Sequence, residues 1–596
     1  MCGICGELRF DDRAPDLDAL ARMMAKLAPR GPDHAGSFSD GPVALGHRRL
    51  AIIDLSYHAN QPMIDAGLGL ALVFNGTIYN YPALRDELIA LGHRFVSQGD
   101  TEVILKAYAQ WGMDCVRRLT GMFAFAIWDM RDQSLFLARD RFGIKPLYFS
   151  HQGKRLRFAS DVPTLLAGGD VDAAIDAIAL HHLFTLHAVV PAPRTVLNGV
   201  RKLPPAHSMR IDRQGRETLN RYWALDATRP AESRSDAEWT EAMHGQLRRV
   251  VERHKTIADV PVGVLLSGGL DSSLIVGLLA EAGQEKLLTF SIGFEDQPEE
   301  RGSEFEFSDP VAERFATDHH KLMIRNSEVL PRLPEAVAHM AEPMFGQDAV
   351  AFYLLAEQVS RHVKVVQSGQ GADEVFAGYF WYPRMQAAQG TPLERFRAHY
   401  FDRDHDEFLD MVTAGYRGAD HTGRLIAERL AEPQADGFID QVLRLDATTL
   451  IVDDPVKRVD NMTMAFGLEA RVPFLDHELV ELAARMPPHL KLGDRNGEGA
   501  KAVLKRISRG LLPDAVIDRP KGYFPMPALK YVRGEFLDFM HDILDSRACR
   551  ERGLYERRYV DRLLAKPDAH HTRILGSKLW HLALLELWLQ THVDAA

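Results

Sequence analysis

The stretch VPVGVLLSGGLDSSLIVGLLAEAG, residues 260–283, decides how the second half of the chain folds. An apolar run rich in Val and Leu comes first, a turn with two glycines follows, and a longer apolar run comes after it. This order is typical of a buried strand, a tight turn and a helix. The stretches LLTFSIGF (287–294) and VKVVQSGQGADEVFAGY (363–379) repeat the strand pattern, and the second adds another turn and helix. Buried strands that alternate with helices indicate a parallel sheet covered on both faces.

The first 220 residues follow a different pattern. Short apolar runs such as VALGHRRLAII (43–53) and GMFAFAIWD (121–129) are bounded by Gly, Asp and Asn and predict strands. Two helical patterns, YPALRDELIALG (81–92) and DTEVILKAYAQWG (100–112), lie between them. Strands in series with a few helices favour antiparallel sheets with helices packed on them.

A polar stretch with Pro, Ser and alternating charge, LDATRPAESRSDAEW, separates the two patterns and is interpreted as a linker at 225–239. We therefore expect one domain at 1–224 and a second at 240–596. After residue 380 the second domain is predicted to be mainly helical. The fold class is thus a two-domain α+β and α/β protein.

Composition limits the partners. The chain has 596 residues, with 71 Lys and Arg against 82 Asp and Glu, so its formal net charge is −11. Neutralising nucleic-acid phosphates needs the opposite balance, and we expect no nucleic-acid partner. No apolar run reaches the roughly 18 residues that span a bilayer, and no signal-peptide pattern opens the chain. We expect a cytoplasmic protein without a membrane segment.

The four cysteines are too sparse for a disulfide framework and suit a reducing compartment. Cys2 and Cys5 stand as C-x-x-C, but a zinc site needs about four ligands and no second pair is evident. A thioredoxin-like pair would follow a strand, and nothing precedes this one. Cys5 fits a small buried residue in a first strand. Removal of Met1 would make Cys2 terminal, with a thiol nucleophile and an α-amine that can serve as its base.

Six motifs follow one another across the first 200 residues: MCGICG (1–6), RGPD (30–33), HRRLAIID (47–54), FNGTIYNY (74–81), GMFAFAIWD (121–129) and LARDRFGIKPLYF (137–149). Together they resemble the motifs of class II glutamine amidotransferases, which are N-terminal-nucleophile (Ntn) hydrolases with an αββα sandwich fold. In that family the terminal Cys attacks the side-chain amide of glutamine, ammonia leaves, and the thioester is hydrolysed.

The resemblance assigns roles to individual residues of the first domain. Cys2 would be the catalytic nucleophile, and Asn75 with the backbone of Gly76 would form the oxyanion hole, whose donors face the developing negative charge. Arg49 would hold the α-carboxylate of glutamine, a task that suits a guanidinium group. Asp100 would hold the α-ammonium of glutamine.

One departure from this family concerns the residue after Gly76. The family usually has Asn-Gly-Glu, and this chain has threonine at position 77. Because Thr77 has no carboxylate, we expect Asp100 to carry the charge opposite the α-ammonium alone.

SGGLDSS, residues 267–273, forms the turn of the opening stretch. Backbone N–H groups of such a turn point at an anion, and the dipole of the following helix adds to the attraction. The turn lacks the Lys of a Walker A loop. It resembles the pyrophosphate loop (PP-loop) of ATP pyrophosphatases, which have a HUP-like parallel-sheet fold and cleave ATP between its α and β phosphates. The ATP-binding residues implied are Leu266, Ser267, Gly268, Gly269, Asp271, Ser272, Ser273, Ile292, Ser368 and Gly369.

Further motifs extend the resemblance. Asp271 and Asp373 would bind the Mg²⁺ that accompanies ATP as substrate, since this cation prefers oxygen ligands. Lys501, in GAKAVLKRI, would stabilise charge on the phosphate during catalysis. NMTMAFGLEARVPFLD (461–476) resembles a segment that lines the synthetase site, and RPKGYFPMP (519–527) resembles an active-site loop. In the first of these, Glu469 and Arg471 are interpreted as a structural ion pair.

A glutaminase followed by an ATP pyrophosphatase is the order of the asparagine synthetase family. The resemblance implies that a carboxylate is adenylated and that ammonia from glutamine crosses an internal channel and displaces AMP. The implied partners are glutamine, ATP and a carboxylate acceptor. The oligomeric state is open, with a homodimer as one alternative.

The acceptor is less clear than the reaction. The family's acidic residue in the SG[ED]G motif is Gln370 here, Asn461 replaces a usual Arg, and EDQPEERGSEFEFSDP (295–310) is longer and more acidic than expected. The chain resembles enzymes that amidate N-acetylglutaminylglutamine, a dipeptide osmolyte, through SGQGADEVFAGY-FWYP and KGYFPMPALKYVRG (521–534). An asparagine synthetase is the alternative, and a non-catalytic binding or storage protein on the same fold is a third interpretation. Gln370 is the candidate acceptor-site residue.

Overall fold

The computed structural model describes residues 2–11, 13–232, 234–296, 301–493, 499–519 and 532–595. Its first part contains two six-stranded antiparallel sheets. The strands are β1 (Gly3–Arg9), β2 (His34–Asp40), β3 (Val43–Arg49), β4 (Met63–Asp65), β5 (Leu70–Ile78), β6 (Gly121–Asp129), β7 (Ser134–Arg139), β8 (Tyr148–Gln152), β9 (Arg155–Ala159), β10 (Arg201–Lys202), β11 (His207–Ile211) and β12 (Glu217–Arg221). One sheet has the order β10-β8-β9-β1-β3-β2 and the other the order β12-β11-β7-β6-β5-β4.

The two sheets pack face to face, and helices cover their outer faces. Side chains alternate along each strand, so one set points to the other sheet and the next set points to the helices. Ile4, Val73 and Trp128 are buried between the sheets. This αββα order confirms the predicted sandwich. The helices of this part are α1 (Leu17–Lys26), α2 (Tyr81–Ala90), α3 (Asp100–Trp111), α4 (Cys115–Arg118), α5 (Val162–Gly168) and α6 (Ala177–Thr185).

The second part is built on a five-stranded parallel sheet. Its strands are β13 (Val262–Leu265), β14 (Leu288–Phe294), β15 (Asp318–Ile324), β16 (Val365–Gln367) and β17 (Glu469–Arg471), in the order β15-β14-β13-β16-β17. Buried apolar clusters lie on both faces of the sheet, as predicted for a sheet whose strands are joined by helices.

Helices make up most of the remaining second part, which confirms the helical prediction beyond residue 380. The last long helix is buried, and the indole N–H groups of Trp580 and Trp588 donate to the carbonyl oxygens of Phe345 (2.9 Å) and Met340 (3.0 Å). Within the described residues, none of the helices combines the length and the apolar character needed to cross a bilayer. The helices are α7 (Asp236–Thr256), α8 (Leu270–Glu281), α9 (Phe305–Arg314), α10 (Asn326–Ala338), α11 (Asp348–Val359), α12 (Ala372–Val375), α13 (Trp381–Ala387), α14 (Pro392–Tyr400), α15 (His405–Met411), α16 (His421–Leu430), α17 (Phe438–Leu445), α18 (Lys457–Met464), α19 (His477–Ala484), α20 (His489–Leu492), α21 (Ala502–Ser508), α22 (Asp514–Ile517), α23 (Glu535–Leu544), α24 (Arg547–Arg552), α25 (Arg557–Ala565) and α26 (Lys578–Leu589).

A buried charge network joins the two parts. The Lys202 ammonium on β10 lies 2.9 Å from the Glu342 carboxylate and 2.6 Å from that of Asp453. Lys457 contacts the same two carboxylates, at 3.2 and 3.5 Å. Burial would raise the pKa of Asp453, but Lys202 and Lys457 lower it. Four charges removed from water are thus held by mutual pairing.

We expect Lys202→Met to lower the free energy of unfolding of the protein. The side chain keeps most of its volume, but two buried carboxylates lose one of their two cations. Removing one partner from a buried ion pair costs about 3–5 kcal/mol. The midpoint of urea unfolding should fall, whereas Lys154→Met, at an exposed turn, should leave it nearly unchanged. Equal midpoints for the two variants would show that the network contributes little.

Candidate active sites

The first site surrounds Cys2, the residue directly before β1. The backbone N–H of Cys2 donates to the side-chain oxygen of Asn75 on β5 at 3.0 Å, and its sulfur lies 4.0 Å from the Leu50 carbonyl oxygen. Among the described residues, the buried side-chain nitrogen of Asn75 has no hydrogen-bond partner. An unpaired buried donor is costly, so this N–H group is suited to a ligand oxygen beside Cys2.

Gly76 follows Asn75 where the chain has no room for a side chain. Its φ is +153°, and an added Cβ would lie 2.1 Å from the Met122 carbonyl oxygen and 2.8 Å from Phe123 Cα. Only glycine fits a backbone that passes this close to its neighbouring strand. The close approach fixes the backbone next to Asn75.

Arg49 and Asp100, the two charged residues predicted to bind glutamine, are both buried. The Arg49 guanidinium donates to the loop that follows β3, at the carbonyl oxygens of Asp54 and Ser56 and at the Asn60 side chain. These bonds hold its orientation. Asp100 begins α3 and accepts from the backbone N–H of Ile78 at 3.0 Å.

The two cysteines differ in their surroundings. Burial raises the pKa of the Cys2 thiol, while nearby positive charge that includes Arg49 opposes this effect. Cys5 is fully buried in the apolar cluster against α1, beside Leu20 and Met23. Burial also raises the pKa of Cys5. Its position confirms the interpretation of Cys5 as a packing residue.

Thr77 has an unexpected neighbour. Its hydroxyl donates to the carboxylate oxygens of Glu469 on β17, at 3.2 and 3.4 Å. Glu469 also pairs with the Arg471 guanidinium at 2.6 Å, which confirms the predicted ion pair. A second buried carboxylate therefore lies beside Thr77, and the expectation that Asp100 alone faces the α-ammonium stays a prediction. Sequence reasoning missed the contact because positions 77 and 469 belong to different domains.

The second site is a cavity of about 690 Å³ at the carboxyl ends of the parallel strands. Ligands of open α/β sheets bind in this position. Gly268 and Ser273 do not line the cavity: Gly268 packs against α9, and the Ser273 side chain is buried within α8. The predicted residues that do line it are Leu266, Ser267, Gly269, Asp271, Ser272, Ile292, Ser368, Gly369, Gln370, Asp373 and Lys501.

Lys501 joins two of the acidic residues that line this cavity. Its ammonium contacts Asp271, in the first turn of α8, at 2.5 Å, and Asp373, in the first turn of α12, at 2.7 Å. Burial would lower the pKa of Lys501, but the two carboxylates raise it. Lys501 itself has a left-handed backbone, with φ +61°. A Cβ on Gly378 would lie 2.1 Å from Lys501 Cε, so any side chain at this position would displace the end of the lysine.

The donor set suits a divalent cation. Two carboxylates from separate helices converge on one positive charge, and hard oxygen ligands are those that Mg²⁺ prefers. Asp271 and Asp373 are therefore chemically suited to the cation that the sequence predicts.

Some residues that line this cavity were not named individually in the sequence analysis, and Arg519 is one of them. Arg519 donates to the Gly268 carbonyl oxygen at 3.1 Å and pairs with Glu304 at 2.5 Å, so it holds the glycine turn against α9. Its place at the start of the predicted RPKGYFPMP loop was the available signal. The rest of that loop (520–527), most of the KGYFPMPALKYVRG stretch (521–531) and residues 297–300 of the acidic stretch lie outside the described residues.

Comparison with known proteins bears on both halves. The family model described as glutamine amidotransferase domain matches residues 1–223, and that described as asparagine synthase matches residues 242–590. The glutamine-hydrolyzing asparagine synthetase 3 of Bacillus subtilis (strain 168) is 31% identical over 591 residues, which cover 92% of each chain. Asparagine synthetase 1 of the same organism is 30% identical, covering 100% of this chain and 97% of the relative. A putative asparagine synthetase of Mycobacterium tuberculosis (strain ATCC 25618 / H37Rv) is 32% identical, covering 99% and 98%.

The sandwich with its Cys2 site and the parallel sheet with its glycine turn define a glutamine-dependent amidotransferase. The chain belongs to the asparagine synthase family, with an amidotransferase domain at its N-terminal end. It is an enzyme of the glutamine-hydrolysing carbon–nitrogen ligase class.

Gly76→Ala should damage both the first site and the sheet beneath it. The new methyl group would overlap the Met122 carbonyl oxygen, so β5 and β6 must separate at this pair. We expect a loss of about 3 kcal/mol or more, in the range of severe core changes. Gly245→Ala in α7, where the nearest atom would be 3.5 Å away, is the control and should gain up to about 1 kcal/mol. Thermal unfolding measures both, and an unaltered Gly76→Ala protein would contradict the close approach.

Proposed function

We propose that the chain hydrolyses glutamine at Cys2 and uses the ammonia to amidate a carboxylate that it first adenylates with ATP. The observation that carries this proposal is the presence in one chain of the Cys2–Asn75 pair and of the Asp271–Lys501–Asp373 cluster. We assign the glutaminase to residues 1–224, the linker to 225–239 and the synthetase to 240–596.

In the glutaminase step, the Cys2 sulfur attacks the side-chain carbonyl carbon of glutamine. After removal of Met1 the α-amine of Cys2 takes the thiol proton, a role that a buried thiol with a raised pKa requires. The Asn75 side-chain N–H and the Gly76 backbone N–H stabilise the oxyanion. Ammonia leaves with the proton, and water then hydrolyses the thioester to glutamate.

The substrate glutamine is held at its other end. Arg49, oriented by the loop after β3, pairs with the α-carboxylate, and Asp100 pairs with the α-ammonium. Burial raises the pKa of Asp100 to about 6. Asp100 therefore loses its charge, and its hold on the ammonium, as the pH falls through this value.

In the synthetase step, ATP occupies the cavity with its phosphates at the glycine turn of residues 267–269. Asp271 and Asp373 would hold a Mg²⁺ ion, which would supply Lewis-acid stabilisation of the phosphate charge. Lys501 lies between these carboxylates and balances charge on the α-phosphate as the acceptor oxygen attacks it. Pyrophosphate leaves, and ammonia from the first site then attacks the acyl carbon and releases AMP.

The acceptor is proposed to be N-acetylglutaminylglutamine. Gln370 lines the cavity at the position where an acid would pair with a free ammonium on the acceptor. Glutamine is neutral, and an unpaired buried ammonium costs several kcal/mol. An N-acetylated dipeptide has no such ammonium, and its amides can bond to Gln370. The cavity also extends past Phe345, Phe352 and Trp381, which gives length for a dipeptide.

An asparagine synthetase remains the second candidate for one specific reason. The relatives compared above carry that name over nearly the whole chain. Carboxylates of the same cavity, such as Asp348 and Asp454, would then replace the charge that Gln370 lacks.

Cys2→Ala should abolish glutamine-dependent synthesis, by about a thousandfold or more, because the nucleophile is lost. Synthesis from added ammonium salt should persist, since it bypasses the first site. Cys5→Ala is the control, because Cys5 packs against α1. Coupled measurement of pyrophosphate with each nitrogen source separates the outcomes. If Cys5→Ala lost glutamine-dependent synthesis and Cys2→Ala kept it, Cys2 would not be the nucleophile.

The acceptor is tested by pyrophosphate release with N-acetylglutaminylglutamine and with aspartate. We expect the blocked dipeptide to give the larger kcat/KM, with AMP and pyrophosphate in equal amounts. Asp271→Asn should lose both products yet retain glutamine hydrolysis, and Gln370→Glu should shift the preference towards aspartate. ADP and phosphate as primary products would refute adenylation. Aspartate turnover equal to or above that of the dipeptide would make the chain an asparagine synthetase.

A further inference from the structure

Glu469 lies at the seam between the two domains, where its carboxylate contacts Thr77, two residues after Asn75. It begins β17, the edge strand of the parallel sheet next to the sandwich, and it is fully buried. Thr77 donates to this carboxylate from β5. Asn75 and Thr77 are two residues apart on one strand, so their side chains share a face. The carboxylate therefore lies on the Asn75 side of the strand.

The negative charge of Glu469 affects the pKa values of two residues that the glutaminase step uses. After burial, which is the main cause, Glu469 contributes to the raised pKa of Cys2 and to that of Asp100. The state of Glu469 differs from that of Asp100. Burial would raise the pKa of Glu469, but nearby positive charges that include Arg471 and Lys145 lower it to about 2. Glu469 thus stays ionised at every pH where Asp100 titrates.

The chemistry of glutamine calls for such a group. Its α-ammonium must leave water to enter a buried chamber, and an unpaired ammonium there costs several kcal/mol. Asp100, whose pKa is raised by burial to about 6, is partly protonated in a mildly acidic medium and then carries less negative charge. Thr77 carries no charge of its own but directs its hydroxyl at a carboxylate from the other domain.

We propose that Glu469 binds the α-ammonium of glutamine together with Asp100, so that the second domain completes the substrate site of the first. The inference rests on the proposed glutamine hydrolysis at Cys2. Thr77 orients the Glu469 carboxylate from one side, and Arg471 orients it from the other. Glutamine selection then depends on contact between the domains, since half of its ammonium site belongs to the synthetase.

The test compares glutamine with glutaramate, which keeps the side-chain amide and the carboxylate but lacks the α-ammonium. Full-length wild type should hydrolyse glutamine with the larger kcat/KM. Glu469→Gln should lower kcat/KM for glutamine by about 10- to 100-fold, the range for losing a charged hydrogen bond. Hydrolysis of glutaramate and synthesis from ammonium salt should change little. Thr77→Val keeps the charge of Glu469 but removes one group that orients it, and should give a smaller loss confined to glutamine. Thr218→Val, at an exposed position of β12, is the matched control and should change hydrolysis of neither substrate.

Two further variants protect the test from a folding defect. Glu469→Asp keeps a charge beside Arg471 but draws it back from Thr77, and should give a smaller loss confined to glutamine. Thr77→Glu combined with Glu469→Gln should restore the preference, because the carboxylate returns from the other strand. Thermal unfolding reports whether each variant is folded.

Each outcome bears on the proposal. A loss restricted to glutamine in either Glu469 variant, with rescue by the double variant, supports it. Equal losses for glutamine and glutaramate would make Glu469 only a structural partner of Arg471 and overturn the proposal. No loss for either substrate would overturn it as well. A wild-type protein that hydrolyses no glutamine would instead remove the proposed function itself.

Discussion

Pairing of buried charges across the domain seam is the constraint on which both sites depend. Asp460 on α18 accepts from Arg30 at 3.0 Å and from Lys145 at 3.1 Å, and all three side chains are buried. Such charges are tolerated only when they are paired, and an error in the docking of the domains would leave each of them without its partner. Arg30 also donates to the Cys2 carbonyl oxygen at 3.4 Å. The residue that pairs across the seam therefore also holds the backbone of Cys2.

The same rule governs the cavity of the second domain. Asp271 and Asp373 would repel each other if they stood alone at the ends of two helices, and Lys501 removes that repulsion. The left-handed backbone of Lys501 is a conformation that costs about 1 kcal/mol or more in a residue with a side chain. Its N–H donates to the Lys491 carbonyl oxygen at 2.6 Å, and Gly378 gives space to its side chain. Local strain is thus retained where it brings an ammonium to two carboxylates.

Features that depend on residues close together in the chain could be predicted from the sequence alone. Short apolar runs bounded by Gly, Asp and Asn predicted the strands of the sandwich, and the strand-turn-helix order at 260–283 predicted the parallel sheet. The motifs also placed Asn75 near Cys2 and Lys501 near Asp271. The contact between Thr77 and Glu469 lies beyond such reasoning, because it joins positions 392 apart in the chain. The departure at Thr77 was visible, but its neighbour depends on how two domains pack.

This distinction also explains why the neighbour of Thr77 could not be predicted. The motif around Thr77 describes β5 alone, whereas the side chain that Thr77 contacts comes from β17. Because β17 presents its edge to the sandwich, a residue from the other domain occupies the space next to Thr77, and its charge is held ionised by Arg471 and Lys145. The local motif and the domain seam therefore form one electrostatic unit. A comparison of single motifs takes no account of this carboxylate, because it comes from the other domain.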